Sequence, residues 1–246
     1  MRYFIKLSYN GSNYHGWQVQ PNALSVQEVI EDVLSKLLNG RCSIVGAGRT
    51  DTGVHAKEMY AHFEIDKELD TSQLIFKMNS FLPKDIAIQE MIAVKDDLHA
   101  RFSATKRTYE YHITTSKDPF TINQAYYFKQ PLDLDKMNEA AGLLLDYQNF
   151  KCFSRSNTDV KTYNCDISFA QWKYQGDLLV FTISSDRFLR NMVRAVVGTL
   201  LEIGLGKLTI DEFKQIINSK NRINAGASAP AHGLYLTQIE YPKIDE

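Results

Sequence analysis

Ser25-Val26-Gln27-Glu28-Val29-Ile30-Glu31-Asp32-Val33-Leu34-Ser35-Lys36-Leu37-Leu38-Asn39-Gly40 is the stretch on which the fold turns. Ser25 with Glu28 three residues on forms a capping box. Val26, Val29, Ile30, Val33, Leu34, Leu37 and Leu38 then recur at helical spacing until Gly40 ends the run. Upstream, residues 2–9 alternate polar and apolar side chains and run into Asn10-Gly11-Ser12, a strand followed by a turn. Downstream, a short strand at 42–45 leads into Gly46-Ala47-Gly48-Arg49-Thr50-Asp51-Thr52-Gly53, where three glycines in eight residues signal a tight loop with unusual backbone angles. A helix set between strands is the unit from which the rest is read.

Further along, 59–65 and 86–94 read as strands around a short helix at 71–80. Residues 101–115 form a long strand ended by Lys117-Asp118-Pro119. The second half repeats the order of elements. It has a helix at 134–145, a hairpin of 163–174 with 178–184 around Gln175-Gly176-Asp177, and a helix at 191–203. A further helix is opened by the capping box of Thr209 and Glu212, and a strand follows at 234–241. This order predicts an α+β chain of two similar subdomains, 1–115 and 116–246, with mixed or antiparallel sheets and helices on the outer face. No low-complexity tract or long linker parts the halves, which favours a shared cleft over independent modules.

Composition sets the bounds. The chain has 246 residues, 44% hydrophobic and 23% charged, which excludes a disordered or collagen-like chain. The formal net charge is −1 and the pI about 6.6, so the totals announce no nucleic-acid or membrane partner. Cys42, Cys152 and Cys165 are odd in number and lack C-x-x-C pairing, which fits reduced thiols in the cytoplasm. The first residues lack a signal-peptide core, and no stretch approaches the roughly 18 apolar residues of a membrane span.

Chemistry concentrates in three places. Asp51, flanked by Arg49, Thr50 and Thr52 after a buried strand, has the setting of an activated carboxylate nucleophile. The same loop also reads as a structural aspartate bonding its own amides. It lacks the Walker lysine and the third glycine of G-x-G-x-x-G, so a nucleotide loop is disfavoured. Arg101, Lys106 and Arg107 precede Tyr109 and Tyr111 on one expected strand. Period two sets Arg107, Tyr109 and Tyr111 on one face, suited to stacking an unpaired base while cations meet phosphates, or to a plain amphipathic strand. Arg187, Arg190 and Arg194 sit at the start of an apolar helix, with Arg190 and Arg194 one turn apart. Cations there oppose the helix dipole and need a carboxylate or phosphate, unless the face is simply solvated. The six histidines form no metal set, and Asp96, Asp97 and the acidic end of the chain read as exposed charge.

The chain resembles the TruA family of tRNA pseudouridine synthases along its whole length. The resemblance is carried by Tyr9-Asn10-Gly11-Ser12-Asn13-Tyr14-His15-Gly16-Trp17-Gln18-Val19-Gln20 and by Gly46-Ala47-Gly48-Arg49-Thr50-Asp51-Thr52-Gly53-Val54-His55-Ala56. Asn79-Ser80-Phe81-Leu82-Pro83 and the run from His99-Ala100-Arg101-Phe102 to Tyr109-Glu110-Tyr111 extend it. Phe188-Leu189-Arg190-Asn191-Met192-Val193-Arg194 and Ala229-Pro230-Ala231-His232-Gly233-Leu234-Tyr235-Leu236 complete it. The resemblance implies an isomerase that needs no cofactor and no metal. It would convert uridines at positions 38 to 40 of the tRNA anticodon stem-loop to pseudouridine, as a homodimer with RNA in its central cleft. It also implies Asp51 as nucleophile, Tyr109 beside the target base, Arg194 paired with Asp51, and Arg49 holding the flipped nucleotide. The basic groups that include Arg101, Arg107 and Arg190 would meet phosphates.

Two features depart from that pattern. Net charge is −1 where RNA enzymes are commonly basic, so the cations must be segregated on one face or assembled by dimerisation. His232 stands where relatives commonly have an acid, and Thr52 where alanine is frequent. A non-catalytic RNA-binding protein would use the same tyrosines and arginines but gives no reason for the Arg-Thr-Asp-Thr-Gly loop. An aspartyl-phosphate enzyme would need a magnesium-binding acid cluster that the sequence does not show.

Overall fold

The computed structural model describes residues 1–156 and 160–242. The last acids of the chain, Asp245 and Glu246, lie outside the described residues. The chain divides into two compact units, Met1–Thr105 together with Tyr235–Glu246, and Lys106–Leu234.

The first unit contains β1 (Arg2–Tyr9), α1 (Val26–Leu38), β2 (Val45–Gly46), β3 (His55–Glu64), α2 (Thr71–Phe81), β4 (Ile86–Val94) and, from the far end of the sequence, β9 (Leu234–Glu240). Its strand order is β4-β1-β3-β9, with β2 added to β3. β1 is antiparallel to both neighbours, with Ile5 opposite Ala61 on β3 and Met91 on β4. β9 runs parallel to β3, with His55 opposite Tyr235. Both faces of β1 are covered, so successive residues Tyr3, Phe4 and Ile5 are all buried, with Tyr3 stacked on Phe63 and Phe4 on His62. α2 packs on β4 and α1 on α2, and the stripe Val26, Ile30, Val33 and Leu34 turns inward. Half of the expected capping box forms at the helix start: the Ser25 side chain accepts from the Glu28 amide. The helix stop differs from the expectation. Asn39, not Gly40, takes the left-handed conformation (φ 54°), because an Asn side chain tolerates that region.

The second unit contains β5 (Lys106–Thr114), β6 (Tyr126–Tyr127), α3 (Leu134–Leu143), β7 (Ile167–Gln175), β8 (Leu178–Ser185), α4 (Met192–Gly204) and α5 (Ile210–Ser219). Strands run β5-β8-β7, with β6 parallel to β5. β7 and β8 form the expected hairpin, turned by Gly176. α3 packs on β7 and on α4. Thr209 and Glu212 close the full reciprocal capping box of α5. α4 is buried almost all round, and Arg194 and Glu202 are its only residues that are not.

Mixed α and β elements with a mixed sheet are thus what the sequence predicts, and three further local expectations are corrected. The strand foreseen at 42–45 shrinks to Val45–Gly46. The strand foreseen from Arg101 begins only at Lys106. The His99 side chain takes the amides of Arg101 and Phe102 on Nδ1 (3.0 and 3.3 Å), and the Ser103 amide bonds the His99 carbonyl (2.9 Å), which winds 99–103 into a turn. Finally, α4 begins at Met192 behind a left-handed Asn191 (φ 65°). Arg190 therefore lies before the helix and does not share a helical face with Arg194.

Candidate active site

The Asp51 loop bridges β2 and β3 of the first unit, and residues 9–17 hold it. Tyr9 Oη and Thr50 Oγ1 are hydrogen-bonded at 2.9 Å, the Trp17 amide donates to the Thr50 carbonyl (3.4 Å), and the Gly53 amide donates to the Tyr14 carbonyl (3.3 Å). Within the loop the Val54 amide bonds the Asp51 carbonyl (3.1 Å). Gly16 makes this contact possible. It sits at φ 87°, and a Cβ on it would lie 2.2 Å from the Thr50 carbonyl oxygen, inside backbone that cannot yield. Of the loop's own three glycines only Gly53 has positive φ (78°). The sequence had suggested unusual angles for the whole loop, whereas its shape is set largely by the packed segment before it.

Behind the loop, His55 is buried and accepts the Gly11 amide on Nδ1 (3.0 Å) while stacking on Tyr235 at 4.6 Å. This side chain is a structural tie between β3, β9 and the 9–17 segment. Asp51 itself is half-buried and Arg49 exposed, two residues apart on the same loop. Arg101 belongs to this unit too. It is exposed on the turn held by His99, its guanidinium 5.4 Å from the ring of the exposed Phe102.

Tyr109, Arg107, Arg190 and Arg194 belong to the second unit. On β5, Tyr109 is half-exposed and meets the edge of Phe188 at 5.1 Å. Arg107 donates to the Asp186 carbonyl (2.8 Å). The end of β8 and the turn after it thus hold both residues, and the carboxylate of Asp186 orders that turn by accepting the amides of Asp166 (2.7 Å) and Arg187 (2.8 Å). Tyr111 lies on the expected shared face, since β5 keeps an unbroken register against β8 from Arg107 to Thr114, but further in. It is fully buried, donates its hydroxyl to the Pro230 carbonyl (2.8 Å), and its phenol is pushed well above the ordinary range by burial. Tyr109 is therefore the ring of this pair suited to meet a base.

Arg190 is exposed, and its carbonyl accepts the Arg155 amide (3.0 Å), which sets a second arginine beside it that the sequence reading passed over. On α4, Arg194 donates Nε to the Ala229 carbonyl (2.7 Å), and the Ala229 amide returns a bond to the Arg194 carbonyl (2.9 Å). That carbonyl is part of the answer to why a cation stands in the first turn of a helix. Burial and the charge of Arg194 both hold His232 below the ordinary imidazole range. Among the described residues no His, Cys, Asp and Glu side chains gather into a metal-binding group.

Phe188, Ala229 and the Tyr9–Trp17 segment escaped sequence reasoning as site components. Their motifs were visible, but the contacts that give them a purpose join residues 33 to 79 positions apart in the chain.

Comparison with known proteins places these residues in a family context. A family model described as tRNA pseudouridine synthase matches residues 6–103 and 140–242. A protein of Parabacteroides distasonis named tRNA pseudouridine synthase A is 53% identical over 243 residues, 98% of this chain and 96% of the relative. Proteins of the same name from Bacteroides fragilis and Bacillus pumilus are 52% and 40% identical, each over 98% of this chain and 97% and 99% of their own lengths.

Proposed function

The chain belongs to the tRNA pseudouridine synthase family, and from that membership we propose that Asp51 is the nucleophile with which it isomerises uridines 38 to 40 of the anticodon stem-loop. It is an isomerase acting on tRNA. The reaction breaks the N1–C1′ bond of uridine, rotates the detached base, joins C5 to C1′, and releases the C5 hydrogen as a proton to water while N1 takes up a proton in its place. No atom is gained or lost. Such chemistry needs the nucleotide out of its stack, a nucleophile to carry the sugar or base between bonds, and exclusion of water that would trap the sugar.

One observation carries the assignment. Asp51 is a half-buried carboxylate on a loop whose backbone is fixed on either side, by Tyr9 and Trp17 at Thr50 and by Tyr14 at Gly53. A reacting group held on a rigid scaffold loses little freedom on the way to the transition state. In this reading Tyr109 stacks on the target base and serves the final proton transfer, Arg194 pairs with Asp51, and Arg49 holds the flipped nucleotide. Arg101, Arg107 and Arg190 contact phosphates. The roles of Tyr109 and Arg107 are supported by the contacts from Phe188 and Asp186 that steady them. We further propose that the enzyme works as a homodimer in the cytoplasm, which accords with three buried, unbridged cysteines; no described helix is long and apolar enough to cross a membrane.

The test uses unmodified tRNA labelled with tritium at uridine C5. Wild type is expected to release tritium to water, with product mapping to the anticodon arm. Asp51→Asn is expected to bind the same tRNA within about twofold and to lose at least roughly a thousandfold in single-turnover rate. An Asp51→Asn protein that releases tritium at the wild-type rate removes the nucleophile assignment. Release that maps elsewhere in the tRNA removes the positional one.

A further inference from the structure

Residues 225–229 run alongside α4 as a strap, tied to the helix at Thr199 and Arg194 and clasped by Arg222. The Gly226 amide donates to Thr199 Oγ1 (3.0 Å), and Ala229 exchanges both of its backbone groups with Arg194. Contact is close enough that a Cβ on Gly198 would fall 1.8 Å from the Ala227 carbonyl oxygen. From the other side Arg222 clasps the strap. Its Nη1 reaches the carbonyls of Ala225 (3.2 Å) and Gly226 (3.0 Å), and its Nη2 reaches Ser228 Oγ (3.0 Å). Ser228 Oγ also accepts from Asn191 Nδ2 (2.7 Å).

Asn191 shows that this arrangement is more than packing. It occupies the N-cap of α4, where an Asn side chain ordinarily takes an amide of the first turn, and it makes no such bond. Its backbone is left-handed and its amide is spent on Ser228. The residues around Arg194 on α4 are buried, so the helix cannot shift. The guanidinium sits on a flexible stem, and the Ala229 carbonyl on Nε sets the plane of that group. The two Nη groups are the fork that a carboxylate would meet.

We propose that Arg222, Asn191 and Ser228 are positioning residues for Arg194, acting through the strap and the Ala229 carbonyl; this rests on Arg194 working in the isomerisation. Ser228 is the node where the helix cap and the Arg222 clasp join. Removing its hydroxyl takes away the Asn191 bond and one of the three Arg222 bonds at once, with the loss of a single atom.

The test pairs a spectroscopic readout of the side chain with the reaction rate, on the full chain. In wild type the Arg194 Nε–H is expected to give a resolved nitrogen-15 resonance that exchanges slowly with water. In Ser228→Ala and Arg222→Lys that signal is expected to broaden or exchange at least about tenfold faster. Single-turnover tritium release should fall about tenfold at saturating tRNA, with tRNA affinity within about twofold. Ser228→Thr, which keeps the hydroxyl, should restore both. A protected Nε–H in both Ser228→Ala and Arg222→Lys overturns the proposal, as does a wild-type rate in Ser228→Ala when Arg194→Ala is inactive. A wild-type rate in Arg194→Ala instead overturns the catalytic reading of Arg194, whatever the resonance shows.

Discussion

His62 illustrates how a single buried side chain sets a pH limit. It lies on β3, 5% exposed, stacked on Phe4 and edge-on to His99 at 4.6 Å, and its Nδ1 accepts the Ala100 amide (3.2 Å). Burial foremost, then the nearby His99 and Arg2, hold its imidazole down from 6.5 to about 4. The unfolded chain takes up this proton near 6.5 and the folded chain only near 4. The unfolded state therefore binds more protons across that window, and stability falls as pH falls through it. The contribution is fully present above pH 6.5 and fully lost below about 4, and a shift of this size is worth roughly 3 kcal/mol. Urea unfolding at pH 7, 5.5 and 4.5 checks it: a His62→Gln variant is expected to show a visibly shallower decline than wild type. The sequence placed His62 on a strand, where the structure has it. The two partners that depress it, Arg2 and His99, come from opposite ends of the first unit and could not be read locally.

At the scale of elements, the 9–17 segment against the Asp51 loop is the pairing with the sharpest consequence. Gly16→Ala forces a Cβ into the Thr50 carbonyl at a positive φ, so the loop and the segment must part. A loss of about 1–3 kcal/mol in stability is expected, with a drop in tritium release of more than tenfold, because the moved peptide is the one before Asp51. Gly40→Ala, with open space around it and no positive φ, is the matched control and should stay within about 0.5 kcal/mol of wild type. Thermal unfolding and single-turnover assays of the two variants decide it. Helices such as α1 and α5 were legible because caps and apolar periodicity are local signals. The two-residue strands β2 and β6 carry no period to detect. The start of β5 was misjudged because a histidine ring, not the backbone pattern, winds 99–103. The Asp51 loop was legible as a special place, but the reason for its shape lies some thirty-five residues upstream.

For the whole molecule, the near-neutral charge demands that the cations meeting tRNA be segregated from the acids on one face or assembled by dimerisation. If Arg49, Arg101, Arg107 and Arg190 each neutralise one phosphate, log affinity plotted against log salt should fall with a slope of roughly −3. Replacing any one of them with glutamine should flatten the slope by roughly 0.7–0.9. Filter binding or fluorescence titration between 50 and 300 mM salt reads this directly, those limits being on the order of the range over which counterion release is measured. A slope near zero would remove these arginines from the phosphate-contacting set.

β9 makes the first unit discontinuous in sequence, since its parallel partner β3 lies some 180 residues earlier, with the entire second unit in between. A ribosome elongates at about 5–20 residues per second, so β3 waits on the order of ten seconds or more for the strand that completes its sheet. During that interval Tyr235, the ring that covers His55 behind the Asp51 loop, has not yet been made. The nascent protein therefore completes the packing behind its Asp51 loop last, after the other unit has been synthesised, and a chain halted before Tyr235 would keep the loop but leave His55 uncovered by that ring.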